Sequence, residues 1–164
     1  MKQFAIVLLV VFFYNCSNTE HGDHQSDSER PIDSSAYAKA DLQKIKWIEG
    51  KWKGMSNGQP FYEIYKMTND STLEVTSYEW DGKDSSKSSK TLLYWKDGSY
   101  YLSENMRYKV TAITDKAITM KRNINVSNDV LWRYNNDTSW IAELENAKGV
   151  TRYDMIKFDP WDRK

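Results

Sequence analysis

From Lys51 onward, apolar and polar residues alternate with a period of two in short runs broken by Gly, Asn and Asp. That alternation is the pattern of half-buried strands, and it predicts them over residues 51–56, 61–67, 72–80, 89–95, 100–104, 107–113, 117–123, 129–134, 139–145 and 150–158. Ahead of them Tyr37, Leu42, Ile45, Trp47 and Ile48 are spaced as one or two helical turns between 36 and 49, with Asp41 expected as N-cap and Gly50 as terminator. Asn57-Gly58, Asp81-Gly82 and Asp97-Gly98 supply the positive φ of tight hairpins, Asn69-Asp70 and residues 135–137 tolerate it, and Lys148-Gly149 closes the last hairpin. The serine-rich stretch 82–89 is expected to be the longest connection, and a mobile one. About ten short strands with no helix between them predict an all-β fold, a sandwich or a barrel. Closure is favoured because it removes sheet edges, so the expectation is a single antiparallel up-and-down β-barrel of about eight to ten strands with a short N-terminal helix closing one end.

The pattern fails before residue 37. Met1-Lys2-Gln3 leads into an apolar run from Phe4 to Tyr14, the charged head and short hydrophobic middle of a secretory signal peptide over residues 1–15. A membrane-spanning helix needs about 20 apolar residues, more than this run offers. The single cysteine, Cys16, follows at the cleavage position. Phe13-Tyr14-Asn15-Cys16 resembles a relaxed form of the bacterial lipobox, although bulky Phe13 and Tyr14 and polar Asn15 replace its usual residues. The resemblance implies lipid attachment at Cys16. Residues 16–36 are polar and acidic with no apolar period, so they are expected to form a disordered tether that holds a folded domain, 37–164, off a membrane surface.

The whole chain of 164 residues carries 23 Lys+Arg and 23 Asp+Glu, so no net field draws it to nucleic acid, which is not expected as a partner. A lone cysteine makes no internal disulfide, and the domain must fold on packing alone. Seven Trp and eleven Tyr supply bulky core material for it. Strand parity sorts that material. If Trp52 points inward, so does Gly54; Phe61, Glu63, Tyr65 and Met67 share the inner face of the next strand; Ile118, Met120 and Arg122 share another; and Val130, Trp132 and Tyr134 share a fourth.

An interior with Glu63, Tyr65, Arg122 and Trp132 would combine apolar walls with a few orienting polar groups, the make-up of a small-molecule pocket. The alternative is that Glu63 and Arg122 form a structural ion pair near one mouth, or that either faces solvent. His21 and His24, the two histidines, fall in the tether, which excludes a histidine-ligated haem inside the domain, and no metal or cofactor is expected. No Ser–His or Cys–His pair and no glycine-rich phosphate loop occurs in the domain, so no catalytic role is expected.

Gly50-Lys51-Trp52 at the start of the first strand resembles the Gly-x-Trp signature of the lipocalins and the wider calycin superfamily. With residues 45–50 before it and 61–65 after it, the stretch is similar to small bacterial lipocalin-like lipoprotein domains of unknown function. The likeness extends by pattern over 41–158 and by motif over about the first 25 of those residues. It implies that Trp47, Gly50 and Trp52 close the base of the barrel, and that Arg152 or Arg133 from a late strand stacks on Trp52. The function expected is that of an envelope lipoprotein, anchored through Cys16 to the outer membrane of a bacterium, that binds a small hydrophobic or amphipathic ligand. The competing expectation is a filled barrel acting in adhesion or assembly through exposed Tyr62, Tyr78 and Trp80.

Overall fold

A computed structural model describes residues 36–80 and 85–158. The expected signal peptide, Cys16, the expected tether up to residue 35 with the two histidines, and the expected Asp81-Gly82 turn lie outside the described residues.

Ten strands form one closed barrel: β1 (Gly50–Ser56), β2 (Gln59–Asn69), β3 (Thr72–Trp80), β4 (Ser85–Lys96), β5 (Ser99–Leu102), β6 (Tyr108–Thr114), β7 (Ala117–Arg122), β8 (Asp129–Asn136), β9 (Ser139–Asn146) and β10 (Gly149–Lys157). Each strand pairs antiparallel with its neighbours in the chain, and β10 returns to β1 with Trp52 opposite Lys157. This is the up-and-down barrel that the alternation predicts. Asn57-Gly58 and Asp97-Gly98 turn with positive φ at both residues, as two-residue hairpins of the right twist require.

Two local expectations are corrected. The serine-rich stretch is not a loop from Ser85 onward: β4 begins there and pairs with β3 in the register Trp80↔Ser85 through Ser77↔Ser89, with a bulge beside Ser77. Serine is a poor strand former, but the adjoining β3 ladder extends the pairing regardless. The helix, of 3-10 type, runs Lys39–Ile48 with Ala38 as its N-cap, so Asp41 sits three residues inside it. From there the carboxylate accepts the Ala38 backbone N–H at 2.8 Å and pairs with Lys44 at 2.9 Å. Reaching back in this way satisfies the first free N–H without a side chain at the cap.

The helix closes the end of the barrel at which β1 starts, the lower mouth. Leu42, Ile45 and Ile48 are fully buried, and each such side chain contributes about 1.5–3 kcal/mol relative to exposure. Hydrogen bonds fix its position: Tyr37 N–H donates to the Gly98 carbonyl at 2.9 Å and the Trp95 indole to the Tyr37 carbonyl at 2.8 Å. At the other end of the helix, the buried Trp52 indole donates to the Ile48 carbonyl at 2.6 Å, and Met67 N–H donates to Glu49 Oε1 at 2.9 Å.

Candidate functional site

The barrel interior has two halves, distinguished by how much surface their inward-facing side chains keep. In the lower half Trp52, Tyr65, Leu73, Leu93, Tyr100 and Trp140 are almost wholly buried. Trp140 stands at the centre, with ring centroids 5.4 Å from Tyr65, 5.8 Å from Trp132, 6.2 Å from Trp52 and 6.4 Å from Trp47. Side chains meet across the barrel there, mostly edge to face, the arrangement aromatic rings prefer.

Above this floor, inward-facing Phe61, Glu63, Ser77, Tyr108, Leu144 and Tyr153 remain half-buried. Their direction follows from register. Trp52 pairs with Glu63 and Glu63 with Ser77, so the three share the inner face, and Gly54 pairs with Phe61 one step higher. Gly54 leaves room for the Phe61 ring and the Met155 sulfur, which a Cβ there would meet. Phe61 stacks edge to face on Tyr153 at 5.6 Å, lining the wall above β1.

Glu63 is the polar feature of this hollow. Its carboxylate accepts the Tyr65 hydroxyl at 2.7 Å and the Ser77 hydroxyl at 3.5 Å. Loss of hydration pushes the Glu63 carboxyl above the usual range, and the two hydroxyl bonds only partly pull it back. Burial first, and then the adjacent carboxylate, push Tyr65 well above the ordinary tyrosine value, so it stays a neutral donor.

Of the four residues expected to line a pocket, three come together. Glu63 bonds Tyr65, and Tyr65 contacts Trp132 edge to face at 5.5 Å. Arg122 is not with them. It has the parity of Ile118 and Met120, but it ends β7, and its side chain, 56% exposed, turns outward to Asp129 and the Ser127 carbonyl. Burial raises the Asp129 carboxyl, but the Lys121 ammonium at 2.8 Å, the Arg122 backbone N–H and the two cationic charges outweigh it and hold the group below its ordinary value. Glu63 and Arg122 therefore do not pair. Ser77 is the member of the cluster that strand patterning overlooked. A serine carries no hydrophobic signal, and only its register opposite Glu63 reveals it.

The base residues sit at the lower mouth. Trp47 packs on Trp140 and Tyr134, Gly50 takes φ 140° where the chain turns into β1, and Trp52 is 2% exposed. The expected arginine on Trp52 is corrected: Arg152 pairs with Asp154 at 2.8 Å and Arg133 with Glu143 at 3.5 Å, both with exposed side chains. The cation over the Trp52 ring is Lys157, at 5.9 Å, which β10 brings directly opposite Trp52.

Among the described residues, no group of three or more His, Cys, Asp or Glu side chains is placed to hold a metal ion, and no helix is long and apolar enough to cross a membrane.

No protein-family model and no curated protein matches the chain. Two solved structures are similar to it. One is a redesigned β-barrel designated b11L5F_LGL, at 13% identity and a TM-score of 0.36 over 76% of this chain and 99% of the other. The second is a redesigned β-barrel, mFAP1, bound to DFHBI, at 12% identity and a TM-score of 0.36 over 74% of this chain and 100% of the other. Likeness at that level says nothing about what this chain binds.

Proposed function

We propose that this chain is a membrane-tethered envelope barrel, anchored through Cys16, that holds a small apolar or amphipathic molecule in the upper half of its interior. The observation that carries the binding reading is a group of inward-facing side chains, Phe61, Glu63, Ser77, Leu144 and Tyr153, that keep accessible surface beside the buried Trp52, Tyr65 and Trp140. Apolar walls around one hydrogen-bonded carboxyl are the usual make-up of a small-molecule site. The tether reading rests on the leader, Cys16 and the acidic segment behind it. The role proposed is that of a carrier or sensor: among the described side chains, the carboxyl of this cluster, Glu63, is bonded by neutral hydroxyls.

The test of binding is native mass spectrometry of the full chain taken from its membrane in mild detergent, with a Leu144→Trp variant that fills the hollow. A stoichiometric small molecule on the wild-type protein, lost from the variant, is the expected result. A protein that is empty, and whose tryptophan emission also ignores added octanol, overturns the reading. For the anchor, Cys16→Ala is expected to leave the protein unacylated and outside the membrane fraction; unchanged acylation refutes it.

A second reading, contact with protein or glycan through the outer wall, draws on one exposed patch. Met55 and Ile156 are 49% and 59% exposed on the adjacent strands β1 and β10, near Tyr62, which is itself half-buried with its ring 5.1 Å from that of Phe158. Tyr78, expected to serve the same role, is half-buried, and the Trp80 side chain lies outside the described ones. Leu144→Trp separates the readings, since filling the hollow leaves this patch intact.

A further inference from the structure

We infer that the ligand held in the upper half of the barrel carries a basic nitrogen, and that its ammonium group binds Glu63 while its apolar body lies against the Phe61 and Tyr153 rings. The inference rests on the binding reading above and deepens it by giving the chemical class of the ligand.

The argument begins with what Glu63 lacks. An ionised carboxylate offers about four lone-pair sites. Among the described residues its two partners are neutral hydroxyls, Tyr65 and Ser77, which leaves acceptor capacity unused. Both hydroxyls donate to it, so they orient the carboxylate without neutralising it. A carboxylate enclosed in this way is costly without a cation. Three described cations near the mouths have other partners. Arg122 and Lys121 hold Asp129 on the rim, and Lys157 lies over Trp52 at the lower mouth, below the aromatic floor.

Among the described residues, Glu63 is therefore a fixed acceptor beside the Phe61 and Tyr153 rings, bonded by neutral hydroxyls and not by a cation. A ligand ammonium supplies up to three N–H donors and the missing positive charge, and charge-assisted bonds of this kind are about twice as strong as neutral ones. An adjacent cation also favours the ionised form of Glu63, so ligand and carboxylate stabilise each other's charge. The rings of Phe61 and Tyr153, in edge-to-face contact, present the apolar wall one step above Glu63 in the barrel. An alkyl or aryl body extending upward from the ammonium meets that wall. An anionic head in the same place would face the Glu63 charge.

The experiment titrates the full-length protein at pH 7.5 with octylamine, octanol and octanoate, three probes with one apolar body and different heads, and reads affinity by calorimetry. Octylamine is expected to bind about tenfold or more tighter than octanol, with octanoate weakest, a difference of about 1.4 kcal/mol per tenfold. Glu63→Gln keeps the shape and an acceptor for Tyr65. It is expected to abolish the amine preference, so that octylamine and octanol then bind within about threefold of each other, under about 0.7 kcal/mol apart. Equal binding of amine and alcohol, or tighter binding of octanoate, overturns the inference and leaves the binding reading standing. An amine preference that persists in Glu63→Gln overturns it as well. Binding of none of the three probes overturns the reading on which it rests. The comparison of heads on the wild-type protein stands even if the variant does not fold.

Discussion

The two halves of this barrel share strands and differ in what those strands point inward. β1, β2 and β9 carry Trp52, Tyr65 and Trp140 at the lower level, all within 3% of complete burial, and Phe61, Glu63 and Leu144 above it, all half-buried. The lower level is closed by the helix and filled by rings. At the upper level Gly54 gives way to Phe61 and Met155, and a carboxyl stands among the rings. Aromatic packing is thus concentrated around Trp140, and inward-facing accessible surface around Phe61 and Glu63. A barrel that needs both a rigid core and a hollow obtains them by grading side-chain volume along its axis, because its wall is continuous and cannot be softened at one end.

The contrast is broken most severely at its centre. Trp140→Ala removes a ring that meets four other aromatic rings across the barrel. It is expected to cost about 3–5 kcal/mol, read as a fall in the urea midpoint with an unchanged slope. The corresponding upper residue gives the control: Leu144→Ala, half-buried, is expected to cost clearly less. Equal losses at the two positions would show that the halves are packed alike.

Gly54→Ala sharpens the boundary between the halves. The added methyl meets the far end of the Phe61 ring and the Met155 thioether, both side-chain atoms that are able to shift. The expected loss is therefore at the low end of the roughly 1–3 kcal/mol typical of overpacking. Phe61 is also the ring proposed to hold the body of the ligand, so a displaced ring disturbs that site. Octanol binding should accordingly weaken more than thermal stability does, and a variant that loses stability with undiminished binding would contradict the assignment.

Much of this grading was legible before any coordinates. Period-two parity placed Trp52, Gly54, Glu63, Tyr65, Trp132 and Tyr134 on inner faces, and each shares the inner face of its strand in the barrel, because parity within a strand is a geometric certainty once one residue is oriented. What parity misses are the ends and the crossings. Arg122 has inward parity but is the last residue of β7, where nothing above it holds the side chain inside and Asp129 on the neighbouring strand draws it out. Ser77 enters the site only through its register with Glu63, and register between strands depends on bulges such as those at Met67 and Ser77 that no local pattern announces. The helix was placed to within a few residues, but its cap was assigned to the residue type that caps best and not to the one that sits first.

Glu63→Gln tests the upper half by pH. The folded-state pKa of Glu63 is raised above that of the unfolded chain, so the native state holds its proton more tightly. Below the unfolded value both states are protonated and nothing is lost. As pH rises from there through the folded value, the ionised carboxyl becomes progressively more unfavourable in the barrel, and stability falls to a plateau above it. Glutamine does not titrate. The variant should therefore be more stable than the wild type at pH 8, with the advantage shrinking as pH falls toward 4, when midpoints are compared across that range without ligand. A wild-type protein that gains stability over Glu63→Gln as pH rises would show the carboxylate to be already neutralised by a cation, and would remove the basis for a cationic ligand.

The smallest effect belongs to the lower mouth, and it separates two accounts of what sits on Trp52. The lipocalin likeness led to an arginine, Arg152 or Arg133, while β10 delivers Lys157. Arg152 and its partner Asp154 are 51% and 65% exposed, and pairs this open contribute little, so Arg152→Ala should shift the urea midpoint by no more than about 0.5 kcal/mol in stability. Lys157→Ala removes a cation from above a buried indole and part of the stem that covers it, worth about 0.5–1 kcal/mol at a partly exposed site. The difference is narrow, so a double-mutant cycle with Trp52→Phe is the sharper measurement: coupling is expected between Lys157 and Trp52 and none between Arg152 and Trp52. Coupling that appears with Arg152 instead would restore the arginine of the family pattern and would require β10 to shift its register against β1.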